Sequence, residues 1–202
     1  MKYIKEIPKE NKILTEELLQ KEWKVLKEPS LGLSIVLSMP ISIILMGVTI
    51  FYYGLLFPAV FSIVGADGVS IEFTINFKSL LYVVGILMYA FLHEMIHAFV
   101  IPNAIHSKKT YWGINGCFGF VYSEEEIEKG RFILISIMPL LILTFVTPLI
   151  YKIFNFYHWY LLLLCIINAG GACVDIFNII LIAKQVPSKG LIVSNGMKTF
   201  YK

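Results

Sequence analysis

"YAFLHEMIHAFVIPN", Tyr89–Asn103, places two histidines and a glutamate inside an otherwise apolar run. In a helix, positions i and i+4 share a face, so His93 and His97 present their imidazoles to one point. Glu94 sits about 100° round the helix, within reach of a water held at that point. This is the H-E-x-x-H arrangement of two metal ligands and a general base. Its surroundings sharpen the reading. A charged side chain at the middle of a membrane helix costs about 2.5–3.5 kcal/mol on insertion scales, and such residues usually mark function.

The rest of the chain supplies that setting. Its 202 residues are 57% hydrophobic and 15% charged, and its mean hydropathy is +0.75. A soluble domain has about a quarter of its residues charged, so lipid is expected to be the main solvent. The net charge of +3 is small, and no nucleic-acid partner is expected. Cys117, Cys165 and Cys173 lie in or beside apolar segments without a disulfide-framework spacing. Residues 1–28 are charged and contain no leading apolar region, so no cleavable signal peptide is read there.

Four runs are long enough to cross a bilayer: about 31–57, 79–101, 131–151 and 159–183. Pro40 in the first, and Pro139 and Pro148 in the third, are expected to kink their helices. The chain therefore divides into a cytoplasmic amphipathic segment 1–28, a membrane-embedded domain 29–183 and a cytoplasmic tail 184–202. In the first, Leu14, Leu18, Leu19, Trp23 and Leu26 give an apolar edge to a helix between Asn11 and Lys27. Such a helix lies against the membrane surface or a loop, or stands as a soluble N-terminal helix.

Lysine and arginine set the orientation. Seven lie in 1–28, four in 102–131 (Lys108, Lys109, Lys129, Arg131) and four from Lys184 onward; the other two connections hold one each, Lys78 and Lys152. Both termini and the 102–131 connection are thus expected in the cytosol, with the protein a multi-pass membrane component. Residues 69–77, "VSIEFTINF", alternate as a strand does, on the outer side. Residues 110–122, "TYWGINGCFGFVY", suggest a short hairpin or re-entrant loop on the inner side.

A catalytic zinc takes three protein ligands and keeps a place for water. Asn103 stands where one zincin spacing would need a third histidine. His106 reads as a loop residue, and His158 falls on the opposite side of the bilayer. Asp175, the only acidic residue of the fourth span, is the remaining candidate. His97 and Asp175 lie roughly 6–8 Å and 12–14 Å from the inner ends of spans that run in the same direction, and tilt absorbs that difference. Asn168, two turns before Asp175, either contacts substrate or a developing oxyanion or makes an interhelical hydrogen bond. Gly170 and Gly171 between them permit close helix approach.

With these pieces in order, the sequence resembles the site-2-protease-like intramembrane zinc metallopeptidases, and most nearly a zincin peptidase family of small bacterial membrane proteins. "HEMIH", "ISIMPLL" (Ile135–Leu141) and "NAGGACVD" (Asn168–Asp175) carry the likeness over about 79–183. It implies Zn2+ held by His93, His97 and Asp175, with Glu94 as catalytic base and Asn168 as a catalytic substrate contact. It also implies a three-helix catalytic core in an all-α membrane fold and a membrane protein or peptide as substrate. Two departures stand out: Ala169 follows Asn168 where proline is usual, and Ile176 follows Asp175 where glycine is usual.

The alternative function is a non-proteolytic binding, immunity or regulatory protein that keeps zinc as structure. A metal transporter ranks below both, because the polar residues gather at one depth and do not line a path across the bilayer. Oligomeric state is not legible.

Overall fold

The computed structural model describes residues 1–58, 76–115, 118–156 and 158–202. The alternating stretch 69–77 falls almost wholly outside these, as does Cys117.

Among the described residues, four helices are long and apolar enough to span a membrane: Leu31–Leu56, Ser79–Val100, Lys129–Ile153 and Trp159–Gln185. Helix α1 is Lys12–Gln20, α2 is Leu31–Leu56 and α3 is Phe77–Val100. Pro40 sits inside α2 without ending it. The third span is segmented, as its prolines require. Helix α4 (Lys129–Pro139) ends at one proline, a π-helix covers Leu140–Val146, and α5 (Thr147–Ile153) opens with Pro148 in its first turn. The fourth span is also broken, into α6 (Trp159–Gly171) and α7 (Cys173–Gln185), at Ala172.

Outward faces of α2 and α3 carry Ile43, Phe51, Leu87 and Met88, all exposed. An apolar exterior of this kind is compatible with hydrocarbon as solvent. Polar side chains turn inward instead. Ser38, Thr49, Thr144 and Asn168 are buried, and the Tyr53 hydroxyl donates to His158 O at 3.1 Å. Helix α2 packs on α6 and α7, and α3 packs on α4 and α6. At Gly170 an added Cβ would lie 3.3 Å from Ser42 Oγ, so this glycine lets α2 and α6 approach closely.

Among the described residues, two small sheets gather at one end of the bundle, where α2 begins, α3 ends, α4 begins and α7 ends. The first joins β1 (Lys2–Tyr3), β3 (Thr110–Asn115) and β4 (Phe118–Ser123) in the order β1-β3-β4. Strand β1 is parallel to β3, and β3 and β4 form an antiparallel hairpin. The hairpin or loop expected over 110–122 is therefore a hairpin. The second sheet has the order β2-β7-β6-β5, with β2 Lys24–Val25, β5 Ile127–Glu128, β6 Leu191–Asn195 and β7 Lys198–Tyr201.

This second sheet alters the reading of both termini. Leu191–Asn195 and Lys198–Tyr201 form its hairpin, and the helix expected between Asn11 and Lys27 ends at Gln20. Leu18 and Trp23 share a buried cluster with Val193 and Phe200, and Leu26 N–H donates to Thr199 O at 2.8 Å. Thr199 N–H in turn donates to the Glu28 carboxylate at 2.8 Å, and burial holds the Glu28 carboxyl above its ordinary value. Helix α1 stops at Gln20 because the residues beyond it have a non-local sheet partner. The β6–β7 loop is Gly196-Met197, with Gly196 at φ 62°; glycine at the first loop position suits a type II′ turn.

Candidate metal centre

His93 and His97 project from α3 towards α7, where Asp175 occupies the first turn. Their Nε2 atoms lie 3.2 Å apart. Asp175 Oδ2 is 3.3 Å from His93 Nε2 and 3.6 Å from His97 Nε2. A tetrahedral zinc with arms of about 2.0–2.1 Å holds its ligands roughly 3.3–3.4 Å apart. The three atoms therefore form one face of a tetrahedron of the right size.

Hydrogen placement reinforces the fit. His97 Nδ1 is 2.8 Å from Ile135 O; a carbonyl only accepts, so Nδ1 carries the hydrogen and Nε2 presents a lone pair. His93 Nδ1 is 2.9 Å from Asn168 Oδ1. The Asn168 amide nitrogen donates to Thr144 Oγ1 at 2.9 Å and to Pro139 O at 3.3 Å. That fixes which end of the carboxamide meets His93, and it makes His93 Nδ1 the donor. With both rings neutral, two nitrogen lone pairs and a carboxylate oxygen converge. Such a grouping of acceptors is stabilised by a cation, and His93, His97 and Asp175 are the three residues among those described whose atoms could hold one.

The centre is enclosed without being sealed. The histidine side chains are 12% exposed and Asp175 is 25% exposed, which leaves access for water. Helix α3 stops soon after His97, at Val100, while α7 continues from Asp175 to Gln185. The break at Ala172 lets Asp175 turn towards α3 from a fresh helix start.

Glu94 faces the hairpin. A Cβ added to Gly119 would lie 2.8 Å from Glu94 Cγ, so glycine is what allows β4 this close. The Glu94 carboxylate lies near Val121 of β4 and within electrostatic range of His97, His93 and Asp175. The hairpin is tied down beyond this point through Tyr122. Its hydroxyl accepts from Gly196 N–H at 2.8 Å, and burial pushes its pKa up to about 12, so it remains a neutral phenol.

The spacing-based site residues thus divide into two groups. His93, His97 and Asp175 come together, with Glu94 beside them. His106, in the turn after α3, and His158, capping α6, do not join them. Asn168 makes hydrogen bonds between helices at both ends of its amide, with His93 on one side and with Thr144 and Pro139 O on the other. Outer partners of metal-bound histidines are worth about 10–100-fold in affinity. Asn168→Ala is accordingly expected to weaken zinc binding by about that factor, measured by competition with a chromophoric chelator. Ile135 O, Thr144 and Gly119 carry no metal-site signature, and no spacing rule could have found them.

Two histidines and a carboxylate on adjoining membrane-length helices, with a second carboxylate alongside, are the parts of a metal-dependent hydrolase. Residues 86–191, slightly more than half of the chain, match the model of a family described as "Putative zincin peptidase", and the chain belongs to that family. The family is one of zinc peptidases. No curated protein and no solved structure matches the chain.

Proposed function

We propose that this protein is an intramembrane zinc metalloprotease of the site-2-protease-like type, hydrolysing a peptide bond within or next to a transmembrane segment. The observation that carries the reading is the triangle of His93 Nε2, His97 Nε2 and Asp175 Oδ2 with Glu94 at its side. Three protein ligands and partial exposure suit a catalytic centre, since structural zinc is normally closed by four. The lysine asymmetry puts the sheet-bearing end in the cytosol, and the catalytic core is then formed by α3, the third span and the fourth.

In this proposal His93, His97 and Asp175 hold the ion, with the two histidines kept in the right tautomer by Asn168 and Ile135 O. Zinc, when bound, supplies Lewis acidity that polarises the scissile carbonyl and makes water a better nucleophile. Glu94 takes the proton from the attacking water as the new carbon–oxygen bond forms. It then delivers that proton to the departing amine as the carbon–nitrogen bond breaks.

A helical substrate hides its carbonyls in its own hydrogen bonds and must be held extended. Among the described residues, strand β4 lies at the edge of its sheet and packs against α3. Glu124 N–H donates to Lys109 O at 2.9 Å, and antiparallel alternation then turns the backbone groups of Gly119 and Val121 away from β3. A peptide added along that edge would lie beside Glu94.

Gly119→Ala tests this arrangement. The added methyl must displace Glu94 or β4, and a misplacement of about 1 Å can cost on the order of 10²-fold. Cleavage is expected to fall by about that factor with zinc content unchanged; full activity would separate β4 from the catalytic step. The proposal as a whole is tested in cells carrying the wild type or Glu94→Gln. Mass spectrometry of membrane-protein N-termini should find new termini in or near transmembrane segments with the wild type only. Identical sets of termini would favour the alternative of a non-proteolytic regulatory or immunity protein with structural zinc.

A further inference from the structure

Proline interrupts the third span twice, and each interruption meets a side chain of α3. Pro139 has no N–H, so the carbonyl four residues back, Ile135 O, loses the donor that an α-helical ladder would provide. The next amide, Leu140 N–H, bonds to Ile137 O instead. Ile135 O is the atom that accepts from His97 Nδ1 at 2.8 Å.

The device recurs further along. In the π-helix, amides reach five residues back, and Thr147 N–H bonds to Ile142 O. Pro148 comes next and cannot offer the following bond, to Leu143 O. That carbonyl accepts from the Tyr89 hydroxyl at 2.6 Å. Tyr89, His93 and His97 recur at four-residue intervals on one side of α3, and the interval from Tyr89 to His97 equals that from Ile135 to Leu143 on the antiparallel partner. Two carbonyls freed by proline thus receive the first and last members of the row, and Asn168 receives the middle one.

We infer that Pro139 is a positioning residue of the metal centre: by withholding an amide it leaves Ile135 O to take the His97 Nδ1 hydrogen. That bond fixes the tautomer of His97 and aims its Nε2 at His93 and Asp175. The inference rests on the reading of His93, His97 and Asp175 as the ligand set. A carbonyl already satisfied within its helix is a weaker acceptor for a ligand's outer nitrogen, and outer partners govern metal affinity. A proline retained only for packing would act differently, because replacing it with a helix-forming residue restores a backbone bond and favours the helix.

The experiment uses the full-length chain, purified in detergent and stripped of metal, as wild type, Pro139→Ala and His93→Ala. Zinc affinity is measured by chelator competition, and the metal-free proteins are melted in parallel. Pro139→Ala is expected to bind zinc about 10–100-fold more weakly, while its metal-free form unfolds at the same temperature or higher. Wild-type zinc affinity in Pro139→Ala overturns the inference. So does a variant that fails to fold or melts lower without metal, because the proline would then serve packing. His93→Ala separates the two levels: if it keeps stoichiometric zinc, the ligand reading itself is wrong. If it loses zinc while Pro139→Ala does not, the inference about proline alone fails.

Discussion

Glu94→Gln is expected to keep one zinc per chain and to lose proteolysis by about 10²–10⁴-fold, the usual worth of a positioned general base. Glutamine is nearly isosteric, so β4, which meets Glu94 at Gly119, should remain docked on α3. What disappears is the capacity to take a proton from water and return it to the leaving amine. Glu94 is outside the ligand triangle, so metal analysis and thermal stability should match the wild type. Activity retained in Glu94→Gln would place the base elsewhere, and zinc lost with activity would make Glu94 a ligand.

The second large effect concerns the triangle itself. His93→Ala and Asp175→Ala each remove one corner of a set whose edges are 3.2, 3.3 and 3.6 Å. Two remaining ligands do not hold zinc against a chelator, so purified protein is expected to fall from about one zinc per chain to nearly none. Loss of metal also removes its contribution to stability. A ligand present at about 100 times its Kd stabilises the folded state by roughly 2.7 kcal/mol, so the wild type should melt lower after chelation. Both variants should melt at one temperature with or without chelator. Stoichiometric zinc retained in both would remove the ligand assignment.

Much of this centre was legible before folding was considered. The four-residue step from His93 to His97 works within one helix, where geometry follows directly from sequence. The apolar runs specify spans because hydrocarbon demands a minimum length and internally satisfied backbone. The terminal sheet was harder to see. Leu14, Leu18, Trp23 and Leu26 keep helical spacing, yet Trp23 and Leu26 are buried beyond the helix end, against or beside a hairpin roughly 170 residues further along the chain. The pairing of β7 with β2 was not legible, because strand partners distant in sequence are chosen by packing.

Asn168 marks the boundary most sharply. Composition and spacing make it a polar residue in a span, close to Asp175, with either a substrate or a neighbouring helix as its partner. Only the fold brings Thr144, Pro139 O and His93 around one carboxamide and so assigns each of its ends. Local periodicity, charge asymmetry and a short motif were enough to establish a helical, membrane-compatible chain with two histidines and a glutamate aimed from one helix. The closure of the ligand triangle by Asp175, the backbone carbonyl behind His97 and the strand edge beside Glu94 came from tertiary packing. The reason is physical: each depends on atoms that no local rule relates, brought within 4 Å by helix breaks and close contacts between segments far apart in the chain.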